Sequence, residues 1–474
     1  MGKPNLIVVL IDQLRAFSLG CYGDKFIKTP HIDNLAKNGV RFETCVTNCP
    51  VCVPARSVLL TGQHARTCVG TRLNEMTRLD NTIDSGEQLG RNDRLKHPDP
   101  SIPDQFKKMG YKTALIGKWH VDTRPSKMGF DESVLPSKIF TKGTFIENEG
   151  KEFKVDGFTS DYEIHRVKEY IKQNKDNPFF LYYNIIHPHM PILDVPYKYS
   201  HMYDPKQVPL RKNVWKNKKL PYSELWCYIY MWQEFYRQGV QPVVGKPPKG
   251  FGLRELTALY YGAISIVDDL VGELVKTLRE TGIDKNTVIV FTSDHGEMMG
   301  SHHLWNKDRM FEEAVRVPLI VVWPDKIKKP VVNKTQMVSL VDLMPTILGL
   351  VGGDIPDSVQ GKNVAPVIMG EVAFIDNPAF IDTPYAEIAI RTMTHKYGML
   401  ITKDNKIKNE KYVFYDLVKD PYEMHNLVNT NKQKDVADKL KKQLLDWNKN
   451  TPVLSTGAPF TNCVELPEEL VKLA

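Results

Sequence analysis

A chain of 474 residues with 42% hydrophobic content has ample material for a large core, and its length suggests two or three domains or one large domain with an appendage. Its 25% charged residues are ordinary for a globular protein, and no stretch approaches the roughly 18 consecutive apolar residues that argue for a membrane span. The net charge of +7 is local: residues 206–250 hold nine Lys and Arg against two Glu, which leaves 54 basic and 54 acidic residues elsewhere, so one segment favours an anionic partner or is simply a solvated loop, and no nucleic-acid partner is expected.

In chain order, the run Leu6–Ile11 reads as a buried strand. It is too short for a signal-peptide core and is followed at once by Asp12. A cytoplasmic protein is therefore expected, or an exported, periplasmic one whose signal has been removed. Thr29-Pro30 opens a helix as cap and first-turn proline, with Ile32, Leu35 and Ala36 on its apolar face and Gly39 closing it. Five of the seven cysteines lie between Cys21 and Cys68, an odd and irregular set that is no disulfide framework. Cys49-Pro-Val-Cys52 has redox-motif spacing, but no second pair completes a zinc site; most of these thiols read as reduced, with Cys52 set apart below.

Further strands are predicted at Thr113–Ile116, Phe179–Ile186 and Thr287–Thr292, and a long helix from Arg254 to Glu280 with Ile264, Val267, Leu270, Val271, Leu274 and Leu278 on one stripe. The stretch Pro191–Gly250, rich in Pro, Lys, Tyr and Trp, interrupts this rhythm as an insertion. After residue 370 the pattern changes to short strands at Ile388–Met393, Tyr397–Thr402 and Lys411–Asp416, closed by an amphipathic helix Lys432–Trp447. Strands alternating with helices predict an α/β sandwich around a large, mostly parallel sheet in residues 1–370, with an insertion at 190–250, followed by a smaller α+β subdomain in 371–474.

Each predicted strand of the first unit ends in polar residues: Asp12-Gln13, Lys118 with His120, His187, and Asp294-His295. Ligands of open α/β sheets bind outside the carboxyl ends of the strands, so acid, base and metal-type side chains converge on one edge. Cys52-Val-Pro54-Ala-Arg56 adds a thiol at a helix N-terminus, because Pro54 suits a first turn and exposed N–H groups there stabilise negative charge. Arg56, within one turn, can clamp an oxyanion, and an unmodified Cys52 is already an activated thiol.

This Cys-x-Pro-x-Arg element, followed by Ser57 and Leu60-Thr61-Gly62, resembles the signature of the type I sulfatases, members of the alkaline phosphatase-like superfamily. The resemblance extends to Gly117-Lys118-Trp119-His120, His187-Pro188-His189, Ser293-Asp294-His295-Gly296, Lys307, and Tyr415-Asp416-Leu417 with Asp420-Pro421 and Asn426-Leu427. It implies a sulfuric ester hydrolase in which Cys52 is oxidised to formylglycine by a maturation enzyme. The aldehyde hydrates to a geminal diol; one hydroxyl attacks sulfur, the alcohol leaves, and the second hydroxyl expels sulfate. It further implies a divalent metal held by Asp12, Gln13, Asp294, His295 and the modified Cys52. Two carboxylates and an amide oxygen suit a hard cation, calcium first, with magnesium or manganese open. Many members carry an acid where Gln13 stands and an amide where His295 stands.

The resemblance also implies that Lys118 and Lys307 neutralise sulfate oxygens, that His120 takes the diol proton, and that His187 protonates the leaving oxygen, with Lys307 as a possible helper. His189 is either support or a loop histidine. His302 and His303 read as surface or supporting residues, while His64, Arg66 and Asn74 either touch substrate or do not. Two rivals remain in view: a phosphonate monoester or phosphodiester hydrolase of the same superfamily, and a non-catalytic binder of sulfated glycans. Lys118 and His120 together favour sulfate, and the full complement of site residues speaks against a binder. A sulfated carbohydrate is the expected substrate, because the insertion mixes Trp215, Trp226 and Trp232 with basic residues.

Overall fold

Leu6 to Ile11 are apolar without interruption and every residue of Asn5–Asp12 is buried, the signature of a strand covered on both faces. This segment is β1, a central strand of a ten-stranded sheet in a computed structural model that describes residues 2–70, 101–121, 123–136, 143–189, 192, 195–214, 252–402 and 404–454. The other strands are β2 (Val40–Val46), β3 (Lys112–Gly117), β4 (Glu132–Pro136), β5 (Thr144–Glu147), β6 (Glu152–Lys154), β7 (Phe179–Pro188), β8 (Thr287–Ser293), β9 (Arg316–Val322) and β10 (Val331–Ser339). Their spatial order is β10-β2-β9-β8-β1-β7-β3-β4-β5-β6. The run β8-β1-β7-β3-β4 is parallel, as is the pair β10-β2. Strand β9 is antiparallel to both neighbours, and β5 to both of its own. The sheet is mixed but mostly parallel, as expected.

Side chains alternate across a strand, and β1 shows the consequence. Leu6, Val8 and Leu10 enter one apolar cluster with helices α2 (Cys52–Thr61) and α5 (Leu343–Val351). Ile7, Val9 and Ile11 enter the opposite cluster with α1 (Pro30–Lys37), α3 (Thr159–Asn174) and α4 (Leu253–Glu280). Two cores therefore sandwich the sheet. A separate antiparallel sheet follows: β11 (Ala379–Asp382), β12 (Glu387–Arg391), β13 (His395–Ile401) and β14 (Ile407–Asp416), in that order. Helix α6 (Lys434–Asn450) covers it through Leu440, Leu444 and Trp447.

The predicted strands and long helix are present, with ends shifted by a few residues. Two local expectations need correction. Thr29 makes no side-chain cap of α1; its hydroxyl donates to Asp33 at 3.1 Å and accepts from the Gly20 amide at 3.0 Å. Gly39 is not a left-handed stop either: a β-carbon there would lie 2.3 Å from the Val321 carbonyl, so the glycine permits close approach of β9. Of the insertion, Ile192 and residues 195–214 are described; Trp215, Trp226, Trp232 and the basic residues beyond Lys212 lie outside the described residues. No described helix is long and apolar enough to cross a membrane.

Candidate active site

The register Ile11↔Ser293 between β1 and β8 brings Asp12 and Asp294 side by side at adjacent strand ends. Alternation turns Asp12 to the α2 side. The chain bends sharply at Gln13 (φ 67°), and the amides of Gln13 and His295 both donate to Asp294 Oδ1, at 3.1 and 2.8 Å. Helix α2 starts at Cys52 against this edge, with all ten of its residues buried and no side chain capping its first turn. The positive end of the helix dipole thus lies at Cys52.

Arg56 locks the two carboxylates from one side: Nη2 donates to Asp12 Oδ2 at 2.8 Å, Nε to Asp294 Oδ2 at 3.0 Å, and Nη1 to the Lys118 carbonyl at 3.0 Å. The oxyanion clamp expected of Arg56 is therefore corrected to a brace, its guanidinium being filled by protein groups. Lys118 Nζ lies 2.7 Å from Asp12 Oδ2. On the other side, His295 Nε2 is 3.7 Å from Asp12 Oδ1, 3.5 Å from Asp294 Oδ1 and 3.1 Å from Cys52 Sγ. Lys307 Nζ donates to the same sulfur at 2.9 Å.

One ligand atom from each of Asp12, Cys52, Asp294 and His295 lies within 4.8 Å of the others, and all four residues are buried. An ion about 2.0–2.5 Å from each donor fits that span. The donor set is chemically suited as well. His295 Nδ1 sits 2.9 Å from the Gly296 carbonyl; a carbonyl only accepts, so Nδ1 carries a hydrogen and Nε2, which faces the cluster, is the nitrogen that would give up its proton to hold an ion. Gln13 is oriented by Glu297 and by Asn306 (3.4 Å), which take its amide N–H groups, leaving its Oε1 3.5 Å from Lys307 Nζ. Glu297 is itself fixed by the amides of Met299 and Asn306 at 3.0 and 2.7 Å. Sequence reasoning passed over this residue, although it stands two positions after His295.

Charge is concentrated here. Burial pushes the Cys52 thiol up, but Lys307, Lys118 and His295 outweigh it and hold the group well below its usual range, a thiolate environment. Burial and Cys52 raise the Asp12 carboxyl, yet Lys118, His189 and Arg56 keep it well below the ordinary carboxylate range. Burial lowers Lys307 less than Cys52 and Asp12 raise it, so it stays a cation.

The structure brings together Asp12, Gln13, Cys52, Arg56, Lys118, His120, Asp294, His295 and Lys307. His120, half-buried with φ 49°, is hydrogen-bonded to Cys52. His187 is not in this group. It shares the Tyr183 and Ile185 face of β7, toward α3, and its buried ring stacks on Phe158 with centroids 5.2 Å and planes 15° apart. After the cis His187-Pro188 bond the chain delivers His189 instead. Its Nε2 is 3.3 Å from Lys307 Nζ and 3.9 Å from Asp12 Oδ1, and its ring is hydrogen-bonded to Cys52. His302 and His303 are buried rather than on the surface; His302 stacks on Phe311 at 4.0 Å and meets Asn213 at 3.1 Å. Arg66 pairs with Asp382 and His64 packs edge-on against Trp447, so both face the second sheet and its helix. Asn74 lies outside the described residues.

Comparison with known proteins agrees with this geometry. The family profile described as Sulfatase matches residues 4–353, and one described as N-sulphoglucosamine sulphohydrolase, C-terminal, matches residues 300–450. An ulvan-active sulfatase of Formosa agariphila is 30% identical over 94% of this chain and 81% of its own length. An arylsulfatase of Clostridium perfringens is 29% identical over 94% of both chains. The solved structure of the Bacteroides fragilis protein yidJ, named for the same family, superposes with a TM-score of 0.75 at 26% identity, covering 98% of each chain. The chain belongs to the sulfatase family, sulfuric ester hydrolases built on the alkaline phosphatase-like fold.

Proposed function

We propose that this sulfatase cleaves sulfate esters of saccharides, with a formylglycine made from Cys52 as its nucleophile and a divalent cation, calcium, in the Asp12–Gln13–Asp294–His295 site. The observation that supports the reading best is the company of Cys52: two lysines, three histidines and two carboxylates surround one sulfur at a dry strand-end edge. The carboxylates and the Gln13 amide oxygen favour a hard ion; the ion would supply fixed positive charge beside the nucleophile and the sulfate. The aldehyde, once hydrated, supplies one hydroxyl for attack on sulfur and a second that releases sulfate when it loses its proton. A formylglycine-generating enzyme is the maturation partner this requires.

The chain's own residues do the rest. Arg56 holds both carboxylates in register. Lys118 and Lys307 offset charge on the sulfate oxygens, and His120 accepts the hydroxyl proton. His189, beside Lys307, is placed to protonate the leaving oxygen. Burial, Lys118 and Lys307 lower its pKa to about 4, and an anionic ester bound beside it reverses part of that shift. The saccharide reading is supported by relatives named for ulvan and for N-acetylglucosamine-6-O-sulfate.

The test pairs chemistry with mass. Protein matured with a formylglycine-generating partner should turn over 4-nitrophenyl sulfate and a subset of sulfated mono- and disaccharides, and 4-nitrophenyl phenylphosphonate more slowly. Peptide mass spectrometry should find an aldehyde at position 52, and Cys52→Ala should lower kcat by at least about 10³-fold without unfolding the chain. Full activity from a protein carrying only the thiol, or a preference for the phosphonate, would overturn the reading.

A further inference from the structure

Six arginines are buried among the described residues: Arg15, Arg41, Arg56, Arg66, Arg309 and Arg391. Five pair with a carboxylate: Arg41 with Glu43, Arg56 with Asp12 and Asp294, Arg66 with Asp382, Arg309 with Glu387, and Arg391 with Glu312. Arg15 makes no such pair with any described residue. It is 4% exposed, its Nε donates to Ser18 Oγ at 2.7 Å, and its buried Nη1 has no hydrogen-bond partner. Its guanidinium rests over the rings of Phe17 (5.4 Å) and Tyr260 (5.6 Å). A cation taken this far from water with neutral company alone is costly unless an anion completes it.

A second arginine shares the same ring. Arg211 lies over Phe17 at 3.7 Å and over Tyr422 at 4.9 Å. Its Nε donates to Glu313 at 2.7 Å, while its terminal nitrogens have no partner among the described residues. Because both guanidinium carbons sit so near one ring, they are at most about 9 Å apart. Charge-assisted N–H···O bonds of about 2.8 Å place a bidentate sulfur roughly 4 Å from each such carbon, and the span of about 8 Å that one tetrahedral anion then requires lies within the limit the shared ring sets. The pair adjoins the reacting centre. Arg15 follows Asp12-Gln13 along the chain, and its β-carbon is only 3.2 Å from where a side chain on Gly296, next to His295, would begin.

We infer that Arg15 and Arg211, set on Phe17 beside the His295-Gly296 strand end, receive a second anionic substituent, a sulfate or carboxylate, of the saccharide being cleaved. The inference rests on the saccharide reading above and deepens it: the substrate class is a sugar bearing at least two anionic groups. An arginine fork suits that task better than lysine, because it matches planar or tetrahedral oxyanions with two bonds at once.

The experiment is anomalous diffraction from crystals equilibrated with selenate, a heavy analogue of sulfate, set beside kinetics on the monoanion 4-nitrophenyl sulfate. Two selenates per chain are expected, one in the Cys52 pocket and one against Arg15 and Arg211. Arg211→Gln, checked for folding by a thermal melt because it removes the partner of buried Glu313, should lose the second and keep the first, and Arg15→Gln should do the same where it folds. With 4-nitrophenyl sulfate, Arg211→Gln should keep kcat and KM within about twofold of wild type. Selenate in the Cys52 pocket alone, or at neither place in an enzyme that turns over aryl sulfate, overturns the inference. A tenfold loss of aryl sulfate turnover in Arg211→Gln also overturns it, by placing Arg211 in the reacting site. Absence of any sulfate ester turnover by wild type counts against the proposed reaction and leaves the selenate result to be judged separately.

Discussion

His187 and His189 differ by two residues, yet the structure gives them opposite surroundings. The first stacks on Phe158 under the sheet; the second touches Lys307 and Asp12. A departing sugar alkoxide needs a proton far more than nitrophenolate does. His189→Ala should therefore cut kcat/KM for a sulfated sugar by about 10² or more and affect 4-nitrophenyl sulfate much less. His187→Ala should lower the melting temperature, since a buried stacked ring is lost (~1 kcal/mol beyond its area), and change both substrates alike. Parallel steady-state kinetics and thermal melts on the two variants decide the assignment. That this strand end carries a histidine toward the site was legible, with His187 the expected residue and His189 left open as support or a loop histidine. Which one enters it was not, because the choice depends on face alternation and on the turn after Pro188.

At the scale of elements, α3 carries an unusual burden. Glu163 is fully buried on its sheet-facing side, and neither carboxyl oxygen has a hydrogen-bond partner among the described residues. Burial raises its pKa to about 8 from an ordinary 4.5. The folded chain thus keeps a proton that the unfolded chain has lost. This contribution is fully present below about pH 4.5 and declines as pH rises toward 8, by an amount on the order of a few kcal/mol. Glu163→Gln cannot ionise, so its melting temperature relative to wild type should climb steadily between about pH 5 and pH 8; a constant difference across that range would refute the shift. The elements themselves were unequally readable. Strands β1, β7 and β8 announce themselves as apolar runs buried on both faces. Strand β9 carries Pro318 within its run, a residue that argues against an interior strand, and β10 exposes most of its first half at the sheet edge. Neither presents a clean period to be recognised.

For the whole molecule, the question is how the two sheets are joined. We propose a division near residue 370, after which the chain builds the antiparallel sheet and α6. Arg66, one turn beyond α2, forms a bidentate pair with Asp382 of β11 at 2.5 and 2.6 Å and lies over the Trp447 ring at 4.2 Å. Arg309–Glu387 and Arg391–Glu312 add further buried pairs across the junction. Asp382→Ala leaves a buried guanidinium uncompensated, which costs about 3–5 kcal/mol. Calorimetry should show the unfolding transition lowered by several degrees; an unchanged profile would mean that the junction does not depend on this pair. The sequence alone determined the layer order, the strand-end convergence of Asp12, Lys118, His120, Asp294 and His295, and the family resemblance carried by Cys52 and Arg56, because those features are local patterns of period and spacing. Only the tertiary structure decided that Arg56 braces carboxylates, that Glu297 orients Gln13, that Arg66 belongs to the junction, and that Arg15 meets no counter-ion among the described residues. Each of these is a pairing between residues more than forty positions apart, or the lack of one, and such pairings exist only once the strands are in register.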